Sequence, residues 1–193
     1  IPNNISIIGA GAFSGCSSLA SITIPDDVVV IGEGAFRSCT SLASITLSNN
    51  ITNIHKDTFY GCSSLTSVII PNSVTNIEEE AFSRCSSLQS ITIPDSVIGI
   101  GNRAFKDCSS LKSIIIPNTV KSLGNAFGDC TSLASVNIPN GVMRIENGTF
   151  YNCSSLTSLT IPNSVMSIGF GAFYGCSSLV SITIPDGVTN IEE

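Results

Sequence analysis

Apolar residues return along this chain at eight fixed places in a unit of 23 residues. In residues 70–92 they are Ile70, Val74, Ile77, Ala81, Phe82, Cys85, Leu88 and Ile91. The phenylalanines at 13, 36, 59, 82, 105, 127, 150 and 173 mark the phase, with a cysteine three residues after each and a leucine three residues after that. Full units span 1–23, 24–46, 47–69, 70–92, 93–115, 116–137, 138–160 and 161–183, and a ninth begins at 184. The unit 116–137 is one residue short, between Leu123 and Phe127. Such a period marks a stack of repeats rather than an ordinary globular domain.

Two kinds of element are expected in each unit. Leu88–Pro94 alternates between apolar and polar residues with β-branched residues inside, the pattern of a half-buried strand. Proline then closes the strand, with Ser48 in its place once, and an Asn or Asp supplies the turn. Glu78–Cys85 carries apolar residues at helical spacing and predicts about two helical turns, too short to hold without Phe82 and Cys85 pointing inward. A single unit cannot offset the entropy of ordering its own chain, so burial between neighbours must hold the stack together. The expected architecture is an α/β solenoid, with a parallel sheet on one face and short helical turns opposite. At ~4.8 Å per strand, eight rungs give a rod about 38 Å long.

The recurring pattern L-x-S-I-T-I-P-x-S-V-x-x-I-x-x-x-A-F-x-x-C-x-x-L resembles the BspA-like class of leucine-rich repeats, over the whole chain. The resemblance implies a right-handed leucine-rich-repeat solenoid in a secreted or cell-surface protein of bacteria or mucosal parasites, associated with adhesion to host proteins or between cells. It implies no shared catalytic residues, and no ligand contacts are encoded in the motif. Residues 1–193 then form one solenoid domain, expected to be a piece of a longer protein because the pattern is already under way at Ile1-Pro2 and still running at Ile191-Glu192-Glu193.

Composition narrows the function further. Fourteen acids against eight Lys and Arg give a net charge of −6, and no basic run exists to displace counterions from nucleic acid. No apolar stretch reaches the ~20 residues needed to span a bilayer. The eight cysteines lack the C-x2-C pairs of structural zinc sites. Stacked one rung apart with parallel side chains, they are expected to form a buried ladder of free thiols rather than disulfides. His55, the only histidine, reads as a solvated surface residue, since no nucleophile adjoins it. Glu78, Glu79 and Glu80 read as partners in cross-rung pairs: Lys56 lies beside Glu79 and Arg103 beside Glu80, as Arg84 lies beside Asp107. No cofactor and no catalytic role are expected.

The strand face should present Ser at position 21 of every unit and mostly Thr at position 23, with Ile69, Ile115 and Asn137 as exceptions. Met143, Tyr151, Met166, Phe170 and Tyr174 are the departures that suggest a binding patch, because exposed aromatics and Met favour interfaces. They also suit docking onto a following repeat, and the sequence leaves both open. The leading functional reading is an adhesion or protein-binding module for an extracellular or host-surface protein. A spacer that projects another domain, or a hydrolase with its site elsewhere, are the alternatives.

Overall fold

The computed structural model describes residues 1–192, so Glu193, the last residue of the ninth, partial unit, lies outside the described residues. The chain winds into eight rungs, each bringing its strand beside the same strand of the next. These strands are Ser21–Thr23, Ser44–Thr46, Ser67–Ile69, Ser90–Thr92, Ser113–Ile114, Ser135–Val136, Ser158–Thr160 and Ser181–Thr183. Pairing is parallel and in phase: Ser21 faces Ser44, Ser67 faces Ser90, and Ser158 faces Ser181. Across the short unit Ser113 faces Ser135, so the lost residue does not shift the register.

A second parallel ladder, absent from the sequence reading, runs through positions 7 and 8. Ile7–Ile8 pairs with Val30–Ile31, and two three-stranded runs follow: Asn53–Ile54, Asn76–Ile77 and Gly99–Ile100, then Arg144–Ile145, Ser167–Ile168 and Asn190–Ile191. The two runs are separated by the sixth rung, where no such strand is assigned among the described residues.

The helical turns are not there. Positions 9–19 fold instead as consecutive tight turns, with bonds such as Ala81 N–H to Glu78 O (3.3 Å), Ser83 N–H to Glu80 O (3.1 Å) and Cys85 N–H to Phe82 O (3.2 Å). The cause is a left-handed residue at positions 11 and 15, four apart. In the fourth rung these are Glu80 (φ 55°) and Arg84 (φ 61°); in the eighth they are Gly171 (φ 59°) and Gly175 (φ 75°). A helix cannot propagate through a left-handed residue. Gly, Asn and Asp, which tolerate that conformation best, occupy most of these sites. Their recurrence at positions 11 and 15 was the available signal against a helix.

The alternation has a second effect. It turns the N–H groups of positions 11, 13 and 15 toward the next rung and the carbonyls of positions 10, 12 and 14 toward the previous one. Phe82 N–H reaches Ala104 O at 2.8 Å, and Arg84 N–H reaches Lys106 O at 2.7 Å. The bends are therefore hydrogen-bonded between rungs almost as fully as the strands.

The short unit shows what this bonding demands. Arg103 should donate to a position-10 carbonyl of the sixth rung, which has lost that residue. Asn125 supplies the side-chain oxygen instead, at 3.0 Å. On the strand face, the Asn137 amide takes both the N–H and the C=O of Ile116, each at 2.8 Å, so that strand pair stops one residue early. Ser48, standing where proline is usual, is buried and donates to Val28 O at 2.6 Å. Ser73, Ser96 and Ser164 make the equivalent bond from position 4 of their own units.

The core is one continuous column. Phe36, Phe59, Phe82, Phe105, Phe127 and Phe150 are fully buried, and successive rings stack with centroids 5.2–5.8 Å apart. Cys, Leu and Ile columns run beside it.

Candidate binding surface

The five residues of the candidate patch fall into rows along the rod. Tyr151 and Tyr174 occupy position 14 of the seventh and eighth rungs, and their rings stack at 5.0 Å with planes 10° apart. Left-handed Gly148 and Asn152 flank Tyr151, and Gly171 and Gly175 flank Tyr174, so each tyrosine sits on a protruding bend. Tyr174 is 63% exposed. Phe170, also exposed, is anchored at position 10: its N–H bonds Asn147 Oδ1 at 3.0 Å and Glu192 Oε2 at 3.3 Å. Met143 and Met166 are exposed and adjacent at position 6, joined by Met166 N–H to Met143 O at 2.8 Å. Between the methionine row and the aromatic row each rung inserts the strand pair Arg144–Ile145 and Ser167–Ile168, with Arg144 bridging Glu146 and Glu192 at 2.9 Å each. The structure thus brings the two tyrosines together and the two methionines together, as two rows rather than one cluster.

The charged residues of the earlier rungs pair across the stack. Lys56 meets Glu79 at 2.8 Å, Arg103 meets Glu80 at 3.2 Å, and Arg84 meets Asp107 at 3.7 Å, as the register predicts. The Glu79 hydrogen bond lifts the Lys56 ammonium above its ordinary value, and the same contact holds the Glu79 carboxyl down. Sequence reasoning missed the pairs Arg37–Asp57 and Lys106–Asp129. Burial pushes the Asp57 carboxyl up, outweighing the Arg37 guanidinium that pulls it down. His55 is half-buried rather than solvated, and its Nδ1 lies 3.1 Å from Glu78 Oε1. Tyr60 carries the Arg37 guanidinium 4.1 Å over its ring, with Arg84 at 5.4 Å.

The strand face is as expected, and Ile69 and Ile115 stand out from it, 84% and 79% exposed. A shallow groove of about 580 Å3 crosses rungs two to six, between Arg84, Asp107 and Asp129 and a row of hydroxyls that includes Thr40, Ser63 and Ser86. It lies on earlier rungs than the aromatic patch.

All eight cysteines are free; Cys39, Cys62, Cys85, Cys108, Cys130 and Cys153 are buried, Cys176 partly so, and Cys16 is exposed. Each buried thiol points at the position-13 carbonyl of the preceding unit, as Cys85 Sγ does toward Phe59 O at 3.2 Å. The sulfurs are aligned in parallel and none faces another. Burial pushes the Cys62 thiol up to about 12. At pH 8 a thiol reagent is therefore expected to modify Cys16 within the first minutes and the six buried thiols only as the chain opens. Unreduced, unfolded protein should titrate as eight thiols; a smaller number would reveal disulfides.

Among the described residues no group of three or more His, Cys, Asp or Glu is placed to hold a metal ion, and no helix is long and apolar enough to cross a membrane.

With this geometry in place, the chain can be compared with known proteins. The family described as BspA type Leucine rich repeat region matches residues 1–112 and 98–193, in six copies. The chain is similar to a leucine-rich repeat protein from Bacteroides ovatus, with 28% identity and a TM-score of 0.72 over 100% of this chain and 67% of that one. It is similar to a leucine-rich repeat protein of T. pallidum, with 32% identity and a TM-score of 0.62 over 91% of this chain and 72% of that one. A leucine-rich cell surface protein from Faecalibacterium prausnitzii shares 31% identity at a TM-score of 0.66. That alignment takes in 99% of this chain but 52% of the surface protein, so the chain spans about half its length. No curated protein matches the chain.

Proposed function

Because the chain belongs to the BspA-type leucine-rich-repeat family, we propose that it acts at a cell surface or as a secreted protein, binding an extracellular protein through the outward side chains of its last two full rungs. The observation that carries this reading is the stacked, solvent-facing pair Tyr151 and Tyr174, continued by exposed Phe170. Aromatic side chains dominate interface energetics because they bury a large area with little entropy to lose. A pair already stacked has lost part of that entropy before any partner arrives. The likeness to a cell surface protein supports the location. Adhesion to host proteins follows as the specific form of the activity, and the reading gives the chain no catalytic step.

Affinity built this way comes from several modest contacts spread over adjacent rungs. With a net charge of −6 and most charges paired across rungs, binding should change little between low and physiological salt. Titration against a panel of purified, immobilised extracellular-matrix proteins tests the reading. The double variant Tyr174→Ala, Phe170→Ala is expected to bind at least ~10-fold more weakly than the parent. The triple variant Glu78→Ala, Glu79→Ala, Glu80→Ala should bind within about twofold, since exposed carboxylates contribute little unless desolvated. Both variants must first match the parent in melting temperature. If both bind like the parent, the aromatic row is a docking face for further chain rather than the binding surface, and if the parent itself captures none of the panel, the protein is a spacer projecting another domain.

A further inference from the structure

Position 14 forms a row of side chains along the rod; Ser83 is buried in it, and one rung has no side chain there at all. Arg37, Tyr60, Lys106, Tyr151 and Tyr174 belong to it, and in the sixth rung the residue is Gly128. The backbone there stays in register: Asp107 N–H donates to Gly128 O at 2.9 Å, as Arg84 N–H does to Lys106 O. The gap is therefore a missing side chain, not a displaced turn. It leaves a notch of about 200 Å3 between rungs five and seven, with Lys106 and Arg103 on one side and Tyr151 and Asn147 on the other. One face of Tyr151 is covered by Tyr174, and its opposite side borders the notch.

We propose that this notch is a subsite for one aromatic side chain of a protein partner, held between Tyr151 and the Lys106 side chain. It rests on the protein-binding reading above and names the group recognised. Three observations support it. The rod already shows how it holds such a ring: Tyr60 carries Arg37 of the same row 4.1 Å from its ring centre and Arg84, from position 15, at 5.4 Å, and Tyr151 lies against Tyr174. A ring in the notch would meet both kinds of neighbour at once, a cation on one side and an aromatic face on the other. The volume suits a single ring and is below that of pockets holding drug-sized molecules, roughly 300 Å3 and above. The charges are balanced, Arg103 by Glu80 and Lys106 by Asp129, so the notch favours a neutral ring over an anion.

Gly128 also supplies the test. Its φ lies outside the left-handed region, and a Cβ added there would meet nothing closer than Gly148 O at 3.7 Å. Tyrosine already occupies this position in three other rungs, so Gly128→Tyr should fold and fill the notch with its own ring. The full 193-residue chain is titrated with N-acetyl-L-tryptophanamide, and separately with N-acetylglucosamine, while backbone amide shifts are followed. Saturable shifts at Gly128, Asn147 and Gly148 are expected with the tryptophan amide. Gly128→Tyr should weaken them at least ~10-fold, and Lys106→Ala about two- to fivefold, the loss of one exposed cation–π contact. The Lys106→Ala arm stands even if the tyrosine variant folds poorly.

Absence of saturable shifts at those amides, undiminished binding by folded Gly128→Tyr, or preferential binding of the sugar would overturn the proposal. Ring binding by a chain that captures no matrix protein would keep the subsite and remove the protein-surface reading. Capture of a matrix protein without ring binding would do the reverse.

Discussion

Raising the pH past 10 is expected to unfold this protein through its thiols. Burial holds Cys85, Cys108 and Cys130 well above the ordinary value of 9.0, and Cys62 at about 12. In the unfolded chain the same groups ionise near 9, so from there upward the unfolded state binds fewer protons than the folded one. The stability these thiols contribute is complete below pH 9 and is lost as pH rises toward their folded values. Each such group costs about 1.4 kcal/mol per pH unit in that window. Four such groups act together, against a total stability of roughly 5–15 kcal/mol for a typical domain. Denaturant melts under reductant from pH 8 to 10.5 should show this fall. In the variant Cys85→Ala, Cys108→Ala the slope should be shallower by about two protons, whatever its stability at pH 8. That comparison separates the thiols from lysines and tyrosines titrating in the same range. Equal slopes would mean that the cysteine column is open to solvent.

The second large effect is in the phenylalanine column. Phe82 is fully buried and stacks on Phe59 at 5.3 Å and on Phe105 at 5.5 Å. Truncation to Ala leaves a cavity with rings on both sides, and neither rung can close it without breaking its inter-rung hydrogen bonds. A loss of about 3–5 kcal/mol is expected in denaturant melts. Phe13 is only half-buried and has one stacking neighbour, Phe36, so Phe13→Ala should cost clearly less. Ser90→Ala, on the solvent side of its strand, should cost under ~0.5 kcal/mol. Equal costs for Phe82 and Ser90 would reverse the assignment of inward and outward faces.

The column, the strand and the register were legible in the sequence because each repeats a side-chain choice that only burial explains. Phe and Cys recur in phase even across the short unit, and the strand pairs there keep that phase. The bends were misread because Glu78–Cys85 has helical apolar spacing, and spacing says nothing about the sign of φ. Glu80 and Arg84 adopt the left-handed region although neither is a usual residue for it; the Gly, Asp and Asn in their place in other rungs betray it. The two-residue ladder at positions 7 and 8 was too short to show as a pattern. Among the candidate patch residues, exposure could be anticipated from the departure from consensus. That Tyr151 and Tyr174 would stack follows from their shared position. The notch left no mark of its own, because a glycine in a row of variable residues looks like any other variation.

The hydrogen bonds between rungs also line peptide dipoles up in files along the rod. In the peptide joining Arg37 to Ser38, the carbonyl accepts from Gly15 and the N–H donates to Tyr60 O, and the same sense is kept through Gly61, Arg84, Asp107, Asp129 and Asn152. A second file runs likewise through the phenylalanine N–H groups, and a third, along position 11, is broken where the Asn125 side chain stands in for a peptide. Aligned peptides of ~3.5 D each add head to tail, as they do along a helix axis. Files of the opposite sense run through positions 6, 9 and 20, where Val29 N–H donates to Ser6 O, Gly32 N–H to Ile8 O and Ala43 N–H to Ala20 O, so the peptide dipoles of the two sets oppose one another along the rod. Repeats can therefore be added to such a chain without building up a field along the rod.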